Sequence, residues 1–314
     1  MSAPVWLWIT LGGVVGGLLM IDVLVVHRTP SVVTLRRATL ESAVWIAISL
    51  AFGTLVWASL GAAAGGEYYS AYLTEKALSV DNVFVWAVIL AHFRVPREFQ
   101  HRVLFWGVMV ALVLRFGFIS LGVTLLGRLE WLFYVFGAVL LVTAWRLVSS
   151  SETDVDPDAG RMLRLARRVV PSVPEFNGQH FLVRHEGRLV ATTLFFVLVA
   201  IETTDLVFAV DSLPAVLALT QDRFVALSSN AFAVLGLRAL YFMFADLHDR
   251  FRYLEPGLAI ILAFVGLKMI LEAGIGSLTL HISTPISLGV IVVVLGGAIT
   301  ASMSEARSTA APSR

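Results

Sequence analysis

Two segments decide the fold of this chain, Glu75-Lys-Ala-Leu-Ser-Val-Asp-Asn82 and Glu202-Thr-Thr-Asp-Leu-Val-Phe-Ala-Val-Asp-Ser-Leu-Pro214. Each places several carboxylates within a run of residues that is otherwise apolar enough to cross a bilayer. An ionisable group at the bilayer centre costs about 2.5 to 3.5 kcal/mol on the mildest insertion scale. A chain that keeps several such groups in its membrane segments is therefore expected to use them on a polar ligand.

The composition is that of a membrane protein with several spans. Of the 314 residues, 58% are hydrophobic and 14% charged, and the mean hydropathy is +0.85. These values lie far outside those of a soluble domain. The chain has no cysteine, which excludes disulfides and thiolate metal sites. Any metal site must use oxygen or imidazole ligands, and such ligands favour hard or borderline ions.

Nine apolar runs are long enough to cross about 30 Å of hydrocarbon, so we predict an all-α polytopic membrane protein. We expect one transmembrane domain over residues 1–302 and a small, polar, disordered tail over 303–314. The first run is predicted to be a retained helix rather than a removed signal peptide. The runs lie near residues 4–26, 40–60, 71–93, 103–126, 129–148, 189–217, 224–245, 257–271 and 285–301.

The positions of the arginines predict the orientation. If the amino terminus lies outside, the loops on the cytoplasmic side carry seventeen arginines and the outer loops carry two. An excess of basic residues on the cytoplasmic side is the usual pattern in membrane proteins. We therefore expect a bacterial-type plasma membrane protein whose amino terminus is outside and whose carboxyl terminus is cytoplasmic.

The third and sixth runs are similar, which indicates an internal repeat. An offset of 124 residues places Asp81 on Asp205. Runs 3–5 (about residues 70–148) and 6–8 (about 189–272) then form two copies, and three helices per copy require the second to be inverted. Transporters of this kind bind substrate near the midplane between the copies. Residues 149–188 between them are expected to form a cytoplasmic loop with one short amphipathic helix, through which protein partners could bind.

The charged residues within the predicted spans have an excess of two negative charges, which one divalent cation would neutralise. The basic residues are expected to pair with acids or, near span ends, to reach the interface. The acids are Asp22, Glu75, Asp81, Glu202, Asp205 and Asp211, and the bases are Lys76, Arg115, Arg238 and Lys268.

Helical geometry groups some of these side chains. Glu75, Ser79 and Asn82 fall on one stripe of the third helix, with Asp81 about 120° away, and Glu202 and Asp205 share a face of the sixth. Pro214 is expected to kink that helix and free a backbone carbonyl beside Asp211. Carboxylates with neutral oxygens suit Mn²⁺, Mg²⁺ or Ca²⁺. The candidate neutral ligands are Asn82, Asn230, Ser79, Ser212 and Thr203.

Four motifs resemble those of the TerC family of membrane proteins. They are Glu75-Lys-Ala-Leu-Ser-Val-Asp-Asn-Val-Phe-Val85, Glu202-Thr-Thr-Asp-Leu-Val-Phe-Ala-Val-Asp-Ser-Leu-Pro-Ala215, Ser229-Asn-Ala-Phe-Ala-Val-Leu-Gly-Leu-Arg-Ala-Leu-Tyr241 and Gly266-Leu-Lys-Met269. The family is named for tellurium resistance, and its better-understood members export manganese. The resemblance implies Mn²⁺ efflux, with Asp81, Asn82, Asp205 and Asp211 as the motif carboxylates and amide.

We therefore expect a secondary transporter, not an enzyme, that exports Mn²⁺ from a midplane site to which Asp22 of the first helix also contributes. Proton antiport through Glu75 or Glu202 is one drive for export. The expected partners are lipid and the metal substrate, with no resident cofactor and no nucleic acid. Mg²⁺ and Ca²⁺ accept similar ligands and stay open as substrates.

Two alternatives stay open. The first is an exporter of an amino acid or another small organic cation, which predicts a larger pocket with an apolar lining. The second is a membrane scaffold that delivers metal to secreted proteins or recruits tellurite-resistance partners through residues 149–188.

Overall fold

The computed structural model describes residues 3–26, 35–129, 131–149, 168, 170–172, 176–185, 187–244, 253–273 and 282–309, and these are mostly helical. The helices are α1 Val5–Val26, α2 Leu35–Leu60, α3 Ala62–His92, α4 Arg97–Leu126, α5 Leu132–Ser149, α6 Thr193–Leu219, α7 Arg223–Leu235, α8 Leu237–Phe244, α9 Leu254–Ala273 and α10 Thr284–Thr309. Two strands are present, β1 Leu182–His185 and β2 Arg188–Ala191.

The prediction of an all-α polytopic membrane fold is confirmed. Within the described residues, seven helical segments are long and apolar enough to cross a membrane when α7 and α8 are counted as one. The count rises to eight if the bent helix α6 is also one span. The expected third span, α3, is not among them, because it carries Glu67, Glu75, Lys76 and Asp81. Its 31 residues nevertheless measure about 46 Å, longer than the hydrocarbon core.

Helix α3 is the central element of the fold. It packs against α2, α6, α7 and α10, and α4 also packs against α6 and α7. The expected third span was placed nine residues too late, since α3 begins directly after Gly61. Gly61 has φ 94°, a backbone conformation that glycine adopts without strain. It therefore lets α2 reverse into α3 within one residue.

Helices α5 and α9 pack closely enough for their backbones to touch. A Cβ built on Gly137 of α5 would lie 2.9 Å from the carbonyl oxygen of Gly266, and a Cβ on Gly266 would lie 2.9 Å from the carbonyl oxygen of Gly137. The two backbones thus touch where neither residue has a side chain. Small residues allow this approach between membrane helices, where dispersion contacts rather than the hydrophobic effect hold the helices together.

Two further sequence-based boundaries were wrong. The sixth span was expected to begin at residue 189, but residues 188–191 form β2, which pairs antiparallel with β1, and α6 begins at Thr193. The hairpin was missed because its strands are four residues long and joined at Gly187, which has φ 78°. At the other end, α10 continues to Thr309 into the expected disordered tail. Residues 150–167, where the amphipathic helix was expected, lie outside the described residues.

Candidate ion site between helices α3, α4 and α6

A buried arginine links the two acidic segments. Arg115 of α4 forms an ion pair with Glu75 of α3, and its Nη2 lies 2.9 Å from Oδ1 of Asp205 on α6. Its Nε also donates to Oδ2 of Asp205 at 3.4 Å. The side chains of Arg115, Glu75 and Asp205 are 4%, 1% and 2% exposed. This two-point contact with Asp205 suits the planar guanidinium and stabilises charges that burial would otherwise disfavour.

Glu202 lies one turn before Asp205 and has a different environment. Both of its carboxyl oxygens are buried and have no hydrogen-bond partner among the described residues. A Cβ built on Gly107 of α4 would lie 3.4 Å from Oε1 of Glu202, an ordinary contact distance, so the carboxyl group lies against α4. Glu202 and Asp205 therefore both face α4, as the helical spacing predicted.

A small cavity of about 60 Å³ lies beside the ion pairs. Its polar lining comes from Glu75 and Asn82 of α3, Thr143 of α5 and Ser212 of α6, and its remaining walls are apolar. Oδ1 of Asn82 and Oε2 of Glu75 have no hydrogen-bond partner among the described residues, and Nδ2 of Asn82 donates to Asp205 at 3.5 Å. Buried oxygens without partners are rare in native proteins and usually have a functional or solvent partner.

Helix α6 bends beside this cavity. Its two parts, Thr193–Ala209 and Ser212–Leu219, meet at an angle of 43°. The bend falls three to four residues before Pro214, where the proline ring removes one hydrogen bond and crowds the carbonyl of Val210. Bent helices expose backbone carbonyls that can serve as ligands in transporters.

The side chains of Asp81 and Asp211 lie outside the described part of the structure. Their chain positions are described, and each is next to a residue that lines the cavity, Asn82 and Ser212 respectively. Within the described residues, no three His, Asp or Glu side chains form a group that could hold a metal ion. The described acids alone therefore do not make a complete carboxylate cage.

Several other predicted site residues have different neighbours from those expected. Asp22 was predicted to reach the midplane site, but its carboxylate accepts from Arg238 of α8, with Nη2 at 2.5 Å from Oδ1. Asn230 was predicted to support the metal, but it lines a separate apolar groove between α1 and α4. Ser79 is fully buried, and its hydroxyl has no hydrogen-bond partner among the described residues. Thr203 donates to the carbonyl of Val199 at 2.7 Å.

Lys76 was predicted to pair with an acid or to lie near a span end, and neither holds among the described residues. It lies near the middle of α3, and its Nζ donates to the carbonyl of Ala233 at 3.2 Å. A Cβ on Gly236, between α7 and α8, would lie 2.6 Å from that Nζ. The ammonium therefore satisfies a carbonyl at the carboxyl end of α7, where the helix dipole favours a cation. Lys268 does have an acidic neighbour, Glu272, at 3.9 Å.

Two contributors to the site were missed from the sequence. Thr143 is a hydroxyl residue in an apolar run, and Gly107 is the residue of α4 that Glu202 faces. Neither has a local signal, since small and hydroxyl residues are common throughout membrane helices.

The fold and this buried polar centre define a multi-pass integral membrane protein. The model of the integral membrane protein TerC family matches residues 60–310, and the chain belongs to that family. A membrane protein of Myxococcus xanthus described as uncharacterized is 42% identical over 301 residues, covering 96% of this chain and 93% of the relative. The Escherichia coli K12 protein named "Putative membrane-bound redox modulator Alx" is 39% identical, covering 92% and 91%. No solved structure matches.

Proposed function

We propose that the protein is a secondary transporter that exports a divalent metal ion, Mn²⁺, from the cytoplasm. The observation that carries the proposal is the small cavity on which Glu75, Asn82 and Ser212 converge from both acidic segments. Asp81 and Asp211 are the immediate chain neighbours of two of its lining residues. Asp205 approaches the same place, because it accepts from Nδ2 of Asn82 at 3.5 Å.

The available ligands suit a hard cation. Glu75, Asn82 and Ser212 offer oxygen atoms, the bend of α6 can offer a carbonyl, and Asp81 and Asp211 are proposed to add carboxylates. Mn²⁺, Mg²⁺ and Ca²⁺ are bound in this way, commonly by six or more oxygens. Asp205 is proposed to act indirectly, because it is held by Arg115.

The size of the cavity favours a metal ion over an amino acid. A volume of about 60 Å³ is well below the roughly 300–1,000 Å³ of pockets that hold small organic ligands. An amino acid would need the enlarged, apolar pocket that the organic-cation alternative predicts.

Export needs an energy source. Moving two positive charges outward against an inside-negative potential costs about 4.6 kcal/mol per 100 mV. We propose that inward proton movement supplies this energy and that Glu202, with two buried and unpartnered oxygens, carries the proton. Glu75 is the second candidate carrier. No covalent chemistry is proposed, and the protein is not proposed to be an enzyme.

The proposed architecture follows from the repeat in the sequence. We propose that α3–α5 and α6–α9 form two inverted copies that alternate access to the cavity, with the amino terminus outside. The name of the Alx relatives refers to redox modulation. This chain has no cysteine and so no thiol for disulfide exchange. If redox modulation extends to it, we propose that it acts through the cellular level of a redox-active metal.

The test is Mn²⁺ efflux from cells that express the wild type, Asp81→Asn or Asp211→Asn at equal membrane levels. Both variants should accumulate Mn²⁺ like cells without the protein. Glu41→Gln is the matched control, because Glu41 forms a partly exposed pair with Arg37 on α2, and it should export normally. Normal export by both aspartate variants would refute the site. In vesicles, flux that ignores an imposed pH gradient would remove proton antiport while leaving metal export in place.

A further inference from the structure

We infer that Arg115 is a resident counter-cation. Its positive charge occupies the acidic site when no metal is bound, and an entering metal ion must displace it. The inference rests on the proposed export of a divalent cation. It assigns to Arg115 a role beyond holding helices together.

The guanidinium group of Arg115 lies between the two acidic segments. From α4 it contacts Glu75 of α3 and Asp205 of α6 at the same time. These are the two helices that carry the acidic segments, and the side chain of Arg115 is 4% exposed. One buried positive charge therefore lies between one acid from each segment and offsets one of their two negative charges.

Glu75 is shared between the ion pair with Arg115 and the small cavity. One of its oxygens pairs with Arg115, and the residue also lines the small cavity with Asn82 and Ser212. Its other oxygen has no hydrogen-bond partner among the described residues. A metal ion that binds in the cavity would use Glu75 and would lie close to the guanidinium.

Electrostatic repulsion would couple the metal ion to Arg115. A divalent ion and a guanidinium that share one carboxylate repel each other strongly in a buried site, where the effective dielectric constant is low. Binding of the metal should therefore push Arg115 away from Glu75 and weaken its hold on Asp205. Return of the guanidinium would then help to expel the metal. In this scheme Arg115 lowers metal affinity and speeds release.

The chain supplies a matched control. Arg238 is also a buried arginine, paired with Asp22, and neither residue lines the cavity. Loss of either arginine should destabilise the fold in a similar way, because each leaves a buried acid without its partner. Only loss of Arg115 should change metal affinity.

The experiment measures Mn²⁺ binding to purified protein by calorimetry, with folding checked by tryptophan fluorescence. Arg115→Met should bind Mn²⁺ about tenfold or more tightly than the wild type and should export it more slowly. Arg115→Lys keeps the charge and should stay within about threefold of the wild-type affinity. Arg238→Met should bind with wild-type affinity. An Arg115→Met protein that folds and binds Mn²⁺ no more tightly than the wild type would overturn the inference.

A second comparison covers the case in which Arg115→Met does not fold. The double variant Arg115→Met with Asp205→Asn removes both charges of the pair, and it should bind Mn²⁺ about tenfold more tightly than Asp205→Asn alone. Equal affinities would overturn the inference. A wild type that neither binds nor exports Mn²⁺ refutes the proposed function instead, so the two failures are distinguishable.

Discussion

The contact between α5 and α9 gives a stability prediction that can be worked from distances. A Cβ on Gly266 would lie 2.9 Å from the carbonyl oxygen of Gly137 and 3.0 Å from Cβ of Leu140. Ordinary van der Waals contact begins at 3.4 Å. Neither neighbour is the end of a flexible side chain, so Gly266→Ala must move the two helices apart by about 0.5 Å.

The expected cost is that of an overpacked interior. Forcing an extra methyl group into a well-packed site typically costs about 1–3 kcal/mol. Alanine also raises helix propensity over glycine by about 1 kcal/mol, which offsets part of this cost. Gly117→Ala is the matched control, since a Cβ on Gly117 of α4 meets nothing within 4 Å. Both variants gain the same propensity, so the difference between them isolates the packing cost.

The assay is thermal unfolding in detergent, followed by fluorescence of the eight tryptophans. Gly117→Ala should unfold at or above the wild-type temperature. Gly266→Ala should unfold below Gly117→Ala by about 1.5–5 °C, because an unfolding entropy of about 2.1 cal/mol/K per residue gives roughly 1.5 °C per kcal/mol for a chain of 314 residues. A Gly266→Ala protein as stable as Gly117→Ala would refute the close backbone contact.

The same pair of helices makes a second test within this prediction. Gly137→Ala strains the same interface, because its Cβ would lie 2.9 Å from the carbonyl oxygen of Gly266. Once one substitution has separated the helices, the other costs less, so the double variant should be destabilised by less than the sum. Fully additive effects would mean that the two glycines act at separate places.

Three further predictions follow from single contacts. Asp22→Asn leaves Arg238 buried without its acid and should destabilise the protein by about 3–5 kcal/mol, measured by the same unfolding assay; a change below 1 kcal/mol would contradict the buried pair. Glu202→Gln removes a carboxylate whose oxygens have no partner among the described residues, so the stability of the protein should not change. Mn²⁺ flux into vesicles should no longer depend on the proton gradient. A flux that still depends on the gradient would exclude Glu202 as the proton carrier. Asp222→Ala removes the side chain that accepts from two backbone N–H groups at the start of α7 and should cost about 0.5–2 kcal/mol; Asp222→Asn, which can still cap, is its control and should stay near the wild type.

The sequence predicted the membrane class, most of the spans and the acidic segments because those signals are local. An apolar run of about 20 residues identifies a span whatever its neighbours are. Glu202 and Asp205 share a face because their spacing along one helix requires it. The bend of 43° in α6 likewise lies where Pro214 removes a hydrogen bond from its own helix.

Boundaries were less predictable because they depend on single residues and on contacts. Residues 62–70 precede the expected third span, yet the positive φ of Gly61 lets α3 begin there. The hairpin before α6 depends on pairing between two strands of four residues each. Such short strands carry too few alternating positions to be recognised by their pattern.

Only the tertiary structure determined which charged residues pair with one another. From the sequence, Arg115 and Arg238 were expected to form ion pairs and Lys76 to pair or reach the interface, but no partner could be assigned to any of them. The structure places Arg115 between Glu75 and Asp205, pairs Arg238 with Asp22, and sets Lys76 on a carbonyl of α7. Residues 40 to 216 positions apart form these ion pairs and hydrogen bonds across helices. Their choice depends on how helices cross and where glycines leave room, and no local pattern of apolar and polar residues contains that information.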